Sequence, residues 1–115
     1  MSAAGEAFAE VTLTGGVVRA RVRPAHARAL CAGHFPDDPL LPGAYLAALM
    51  TEAAARLHEG AALRELVRCA FHKRVRPDDE IVVTARLAGA TTLAEVQVAG
   101  VCAARATLRF AGAGA

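Results

Sequence analysis

The chain has 115 residues, enough for one domain with one core and not for two. Hydrophobic residues make up 55% and charged residues 21%, which excludes a disordered chain; with 29 alanines and only 4% aromatics, the core has to be built from small and aliphatic side chains. A net charge of +2 excludes a strong general attraction to nucleic acid or to an anionic membrane, so neither is expected as a partner.

Residues 1–8 are small and weakly patterned and read as a loose end, as do residues 111–115. A short strand is expected over 9–14, followed by Gly15-Gly16, a two-residue hairpin signal. From Val17 to Arg23 the chain alternates, with Val18, Ala20 and Val22 on one face and Val17, Arg19, Arg21 and Arg23 on the other. That is the pattern of an antiparallel strand with one wet face. Residues 24–42 carry Pro24, Pro36, Pro39 and Pro42, which excludes a long helix or a central strand there. An ordered connection is expected, with at most a turn of helix near 25–30, and a connection this long in so small a domain is often functional.

Pro42-Gly43 opens the best helix, expected over 44–58. Tyr45, Leu46, Leu49, Met50, Ala53, Ala54 and Leu57 cover more than one stripe, so this helix is expected to be buried. Strands follow at about 63–74, 80–87, 93–99 and 101–110, with turn signals at Arg76-Pro77-Asp78-Asp79, Gly89 and Gly100. The order predicts an α+β domain spanning residues 1–115: one long buried helix wrapped by a single antiparallel sheet. No apolar run approaches the roughly 20 residues of a membrane span. The first ten residues lack the basic start of a signal peptide. Cys31, Cys69 and Cys102 are odd in number and far apart, which argues against a disulfide framework or a zinc site and fits a reducing, cytoplasmic setting.

The densest feature is Gly33-His34-Phe35-Pro36-Asp37-Asp38-Pro39-Leu40-Leu41-Pro42-Gly43. It holds one histidine in a proline-stiffened loop and then starts a helix. A helix start leaves backbone N–H groups without partners and carries the positive end of the dipole. No Ser, Thr, Asp or Asn stands at this cap, and Gly43 lets a ligand oxygen approach its amide closely. A base and an oxyanion donor on one rigid segment are the parts needed to remove a proton beside a carbonyl.

This stretch resembles the hotdog-fold 3-hydroxyacyl-acyl-carrier-protein dehydratases of fatty acid synthesis, whose motif runs G-H-F-x-x-x-P-[VL]-[ML]-P-G into the central helix. Downstream, Phe71-His72-Lys73-Arg74-Val75-Arg76-Pro77-Asp78-Asp79 is similar to the family segment F-[RK]-[RK]-P-V-x-P-G-D, departing at His72, Arg74 and Asp78. The resemblance covers about residues 10–110 and implies the hotdog fold and a dimer or higher even oligomer. It implies a thioester substrate carried on acyl-carrier protein or coenzyme A, lipid or polyketide biosynthesis as the setting, and no metal or cofactor. It makes His34 the base that takes the α-proton and the Gly43 N–H the group that polarises the thioester carbonyl. The Leu40 carbonyl would orient His34, and Phe35, Leu40, Pro42, Ala44, Tyr45 and Ala48 would line the substrate site.

One departure matters most. The family places Glu or Asp 14 residues after the histidine, where this chain has Ala48, which cannot donate a proton to the departing hydroxyl. Glu52, about 6 Å further along the axis, is the possible substitute acid; a helix-end charge paired with Arg56 is the competing reading. Tyr45 is able to donate its phenol, and lining the acyl tunnel is the expectation. His72, Lys73, Arg74 and Arg76 form a small basic cluster suited to an acidic carrier protein or a phosphate, with a solvated strand face as the favoured reading. Asp37-Asp38 reads as a turn, Cys31 as no nucleophile, and His26 and His58 as surface residues. A dehydratase-like enzyme leads. A non-catalytic acyl-thioester-binding module or inactive partner of a heterodimer is the alternative, and a thioesterase comes third.

Overall fold

In the computed structural model, residues 7–31 and 40–111 are described, without the side chain of Cys31. The eight elements, in chain order, are β1 (Phe8–Thr14), β2 (Val17–Val22), α1 (Pro24–Cys31), α2 (Gly43–Ala55), β3 (Leu63–Phe71), β4 (Ile81–Ala88), β5 (Thr91–Val98) and β6 (Val101–Phe110). The strands form one antiparallel sheet in the order β1-β2-β4-β5-β6-β3. This is a hotdog-like fold, with α2 packed across one face of the sheet.

Alternation decides which strand face meets the helix. Val18, Ala20 and Val22 of β2, Ile81, Val83 and Ala85 of β4, and Ala94, Val96 and Val98 of β5 are all buried, and their neighbours in sequence face outward. From α2, Leu46, Leu49, Met50, Ala53 and Ala54 fill the space above them. Gly15 and Gly16 both have positive φ (60° and 77°), which lets two residues reverse the chain between β1 and β2.

Several expectations need correction. Ala7 and Phe8, assigned to the loose end, are buried in the core, and the Ala7 carbonyl accepts the Arg23 N–H at 2.6 Å. The single helical turn near 25–30 is an eight-residue helix beginning at Pro24, a position where a missing N–H costs nothing. Helix α2 ends at Ala55, three residues early, because Arg56, Leu57 and His58 donate to carbonyls three residues back and tighten the chain. Strand β3 ends at Phe71, because the N–H groups of His72 and Lys73 both turn onto the Ala103 carbonyl and the ladder stops. Burial of α2 is also one-sided: Ala44 and Ala48 are exposed in the single chain.

Candidate functional site

The two motif segments are tied together at the start of α2. The Leu41 N–H donates to the Val75 carbonyl at 2.8 Å, and Val75 is buried. Pro42 then caps the helix in an extended conformation with no side-chain hydrogen bond, as its sequence predicts. Gly43 is the first helical residue, and Phe71 packs against the side where a Cβ would stand. Around this junction lies a cavity of about 350 Å³, lined by Leu41, Gly43, Leu46, Phe71 and the chain from His72 to Val75. His72, Lys73 and Arg74 are exposed at its rim and follow the end of β3 instead of forming a strand face. The Arg76–Asp79 turn forms where expected, with the Arg76 N–H donating to Asp79 Oδ2 at 2.8 Å and the Asp79 N–H to the Arg76 carbonyl at 3.1 Å.

Tyr45, Ala48, Leu49 and Glu52 share the flank of α2 that faces α1. With Ala7, His26, Ala29 and Leu30 they enclose a second, mainly apolar cavity of about 360 Å³. The i, i+3, i+4, i+7 spacing of the α2 residues puts them on one side of the helix. Glu52 is half-buried in this wall, on the same face as Ala48, as the helical spacing predicts.

Within one chain the residues of the expected site therefore divide. Gly43 lines the cavity at the helix start, whereas Tyr45, Ala48 and Glu52 line the one along its flank. Pro42 and Ala44 are exposed, and Leu40 is half-buried. His34 and Phe35, with Asp37 and Asp38, lie outside the described residues. Among the described residues there is no group of three or more His, Cys, Asp or Glu placed to hold a metal ion. Burial raises the Cys69 thiol above its ordinary range, which disfavours the reactive thiolate.

Two histidines expected on the surface are half-buried, each within hydrogen-bond distance of another side chain. His26 Nδ1 lies 2.7 Å from Tyr45 Oη, with the rings stacked at a centroid distance of 5.6 Å and 23° between planes. His58 Nε2 lies 2.6 Å from Thr92 Oγ1, and its ring stacks on Phe110 at 4.4 Å. The spacing of His26, Ala29 and Leu30 on α1 was the sequence signal that could have turned His26 inward; nothing local marks His58.

A sequence model of the ApeI-like family, described as ApeI dehydratase, matches residues 11–108. The chain belongs to the ApeI-like dehydratase family. The match begins within β1, ends within β6, and takes in α2 with Ala48. No curated protein matches this ApeI-like chain in sequence. Among solved structures it is similar to the dehydratase heterocomplex ApeI:P from Xenorhabdus doucetiae, at 14% identity and TM-score 0.75, covering 90% of this chain and 95% of that one. It is also similar to a candidate thioesterase, a phenylacetic acid degradation-related protein from Ralstonia eutropha JMP134 (18%, TM-score 0.67, covering 93% and 86%). A third is a point mutant of the phenylacetic acid degradation protein PaaI from Thermus thermophilus (22%, TM-score 0.57, covering 92% and 94%). At these identities the likeness is one of fold. The ApeI-like fold thus hosts dehydratase and thioesterase-like proteins alike, and the site residues have to carry the distinction.

Proposed function

We propose that this ApeI-like chain removes water from 3-hydroxyacyl thioesters carried on acyl-carrier protein or coenzyme A, in fatty acid, polyketide or related lipid biosynthesis. The observation that carries the reading is the junction at the start of α2. There Leu41 and Pro42, which follow His34 in the sequence, lead into a helix capped without a side chain, and Leu41 is pinned to the second motif at Val75. His34 takes the α-proton, and the Gly43 N–H, at the positive end of α2, holds the charge that develops on the thioester oxygen. The Leu40 carbonyl orients His34, and Phe35, Pro42, Ala44, Tyr45 and Ala48 line the acyl path.

Assembly belongs to the same reading. Strand β3 is an edge of the sheet, and Leu66, Val67 and Phe71 on it are 44%, 42% and 51% exposed. An edge with both faces apolar is suited to pairing with a second chain. The exposed Ala44 is then covered in the dimer, and the site is shared between two copies. The basic rim of His72, Lys73 and Arg74 fits a phosphate or an acidic carrier. The free thiols of Cys69 and Cys102 support a reducing, cytoplasmic setting.

Hydration of an enoyl-pantetheine thioester, followed by loss of its absorbance, tests the reading. Wild type should turn over and His34→Ala should not, while both remain folded. Equal rates remove His34 from the mechanism. Release of free thiol without hydration makes the protein a thioesterase. Ala48 supports a second reading, a subunit that binds acyl thioester beside an acid-bearing hotdog partner; the similar ApeI:P protein is a heterocomplex. Activity that appears only on adding such a partner selects it.

A further inference from the structure

We propose that the flank cavity is a binding site for an apolar amine, with the Glu52 carboxylate as counter-ion to its ammonium group. The cavity holds about 360 Å³, within the roughly 300–1,000 Å³ of small-molecule sites. Ala7, Ala29, Leu30, Ala48 and Leu49 give it apolar walls, and alanine at 29 and 48 leaves the space open. Among the described residues that line it, Glu52 is the only carboxylate.

Among the described residues Glu52 makes no ion pair and no side-chain hydrogen bond. The pair with Arg56 that i, i+4 spacing allows does not form, because the Arg56 guanidinium lies over the Phe8 ring, 5.6 Å from its centroid. Helix α1, on the other side of the cavity, carries Arg28, and its guanidinium is turned to Asp78 at 3.5 Å. A half-buried carboxylate in an apolar wall has lost part of its hydration without gaining a partner. A ligand that brings a positive group on an apolar body supplies that partner and fills the cavity. An ammonium offers both charge and N–H donors, and charge-assisted hydrogen bonds are about twice as strong as neutral ones. An anionic ligand meets like charge.

Helix spacing sets the reach of the ligand. Tyr45 and Glu52 stand about 10.5 Å apart along α2, at roughly 1.5 Å per residue. With the ammonium at Glu52, the apolar body runs over Ala48 and Leu49 toward Tyr45. This cavity is separate from the one at Gly43, so the proposal does not rest on the dehydratase reading. The same ammonium is able to arrive in two forms, as a free amine or as the far end of an acyl chain.

Tyr45 reports on the site directly, because it is the only tyrosine and the chain has no tryptophan. Its fluorescence is followed while octylamine, octanol or octanoate is added, and in a second set while ω-aminooctanoyl- or octanoyl-pantetheine is added. The ammonium compound should bind at least roughly tenfold more tightly than its neutral counterpart, the low end for a hydrogen bond to a charged group, with octanoate weakest. Glu52→Gln should bring octylamine down to the level of octanol and leave octanol unchanged. Ala48→Leu, which fills the cavity, should weaken every ligand, with the circular dichroism of both variants as in wild type. The ligand series in wild type decides even where a variant fails to fold. A preference among the free compounds assigns a free amine, and one confined to the thioesters assigns an acyl chain. No ammonium preference in either set, a preference that survives Glu52→Gln, or full-strength binding in Ala48→Leu overturns the proposal. Binding is read without turnover, so a catalytically inactive wild type overturns the dehydratase reading and leaves this site standing.

Discussion

The Phe71 ring lies across the start of α2, with its Cζ 3.0 Å from where a Cβ on Gly43 would stand. Gly43→Ala should therefore push on the ring. Phe71 is half exposed and able to swing, so the expected loss is about 1 kcal/mol, at the low end for overpacking. In the double variant Gly43→Ala/Phe71→Leu most of that loss should disappear. Chemical denaturation of the four proteins in the cycle measures the coupling, and strictly additive effects would show that the two residues do not press on each other.

Ala48→Glu restores a carboxyl at the family's spacing, in the mainly apolar flank cavity. Desolvation there raises the new group's pKa and helps it hold a proton near neutral pH. Dehydratase activity should rise at least roughly tenfold, inside the range of a positioned general acid. A modest stability loss should accompany the buried polar group. Adding Glu52→Gln should leave the gain unchanged. A wild type that is already fast, and dead as Glu52→Gln, would make Glu52 the acid.

His58→Ala should destabilise the fold, contrary to the neutral effect expected of a surface histidine. It removes the partner of the fully buried Thr92 hydroxyl and the ring that stacks on Phe110. An orphaned buried hydroxyl costs about 1–3 kcal/mol. Thr92→Val in the same chain takes away the orphan and should restore part of the stability. Unchanged melting of His58→Ala would show that water replaces the imidazole at no cost.

In solution the chain should sediment as a dimer or a higher even oligomer. Leu66→Lys on the exposed edge strand should dissociate it, since charge on an edge opposes pairing. Sedimentation of wild type as a stable 11.9 kDa monomer at micromolar concentration removes the shared-site part of the proposal.

What the sequence disclosed depended on how far away the cause lay. The inward faces of β2 and β4 are written in alternation, and the start of α2 in Pro42-Gly43, because periodicity and capping act between near neighbours. Pro24 reads as a breaker, yet the first helical turn accepts proline, so α1 is longer than expected. The roles of His26 and His58 were hidden because Tyr45 and Thr92 stand 19 and 34 residues away. The division of Gly43 from Ala48 between two cavities was hidden for the same reason: one helix carries both, and only the packing of β3 and α1 separates them.

The sheet order carries a consequence for the timing of synthesis. Among the described residues strand β3 has one neighbour, β6, and two further strands are made between them. At roughly 5–20 residues per second the ribosome leaves β3 unpaired for seconds, with Leu66, Val67 and Phe71 uncovered. Its edge acquires a fixed register only when Val101–Phe110 arrives and closes the sheet. The strand suited to joining a second chain is thus the last to find its place in the first, so subunit assembly has to wait for translation to pass β6.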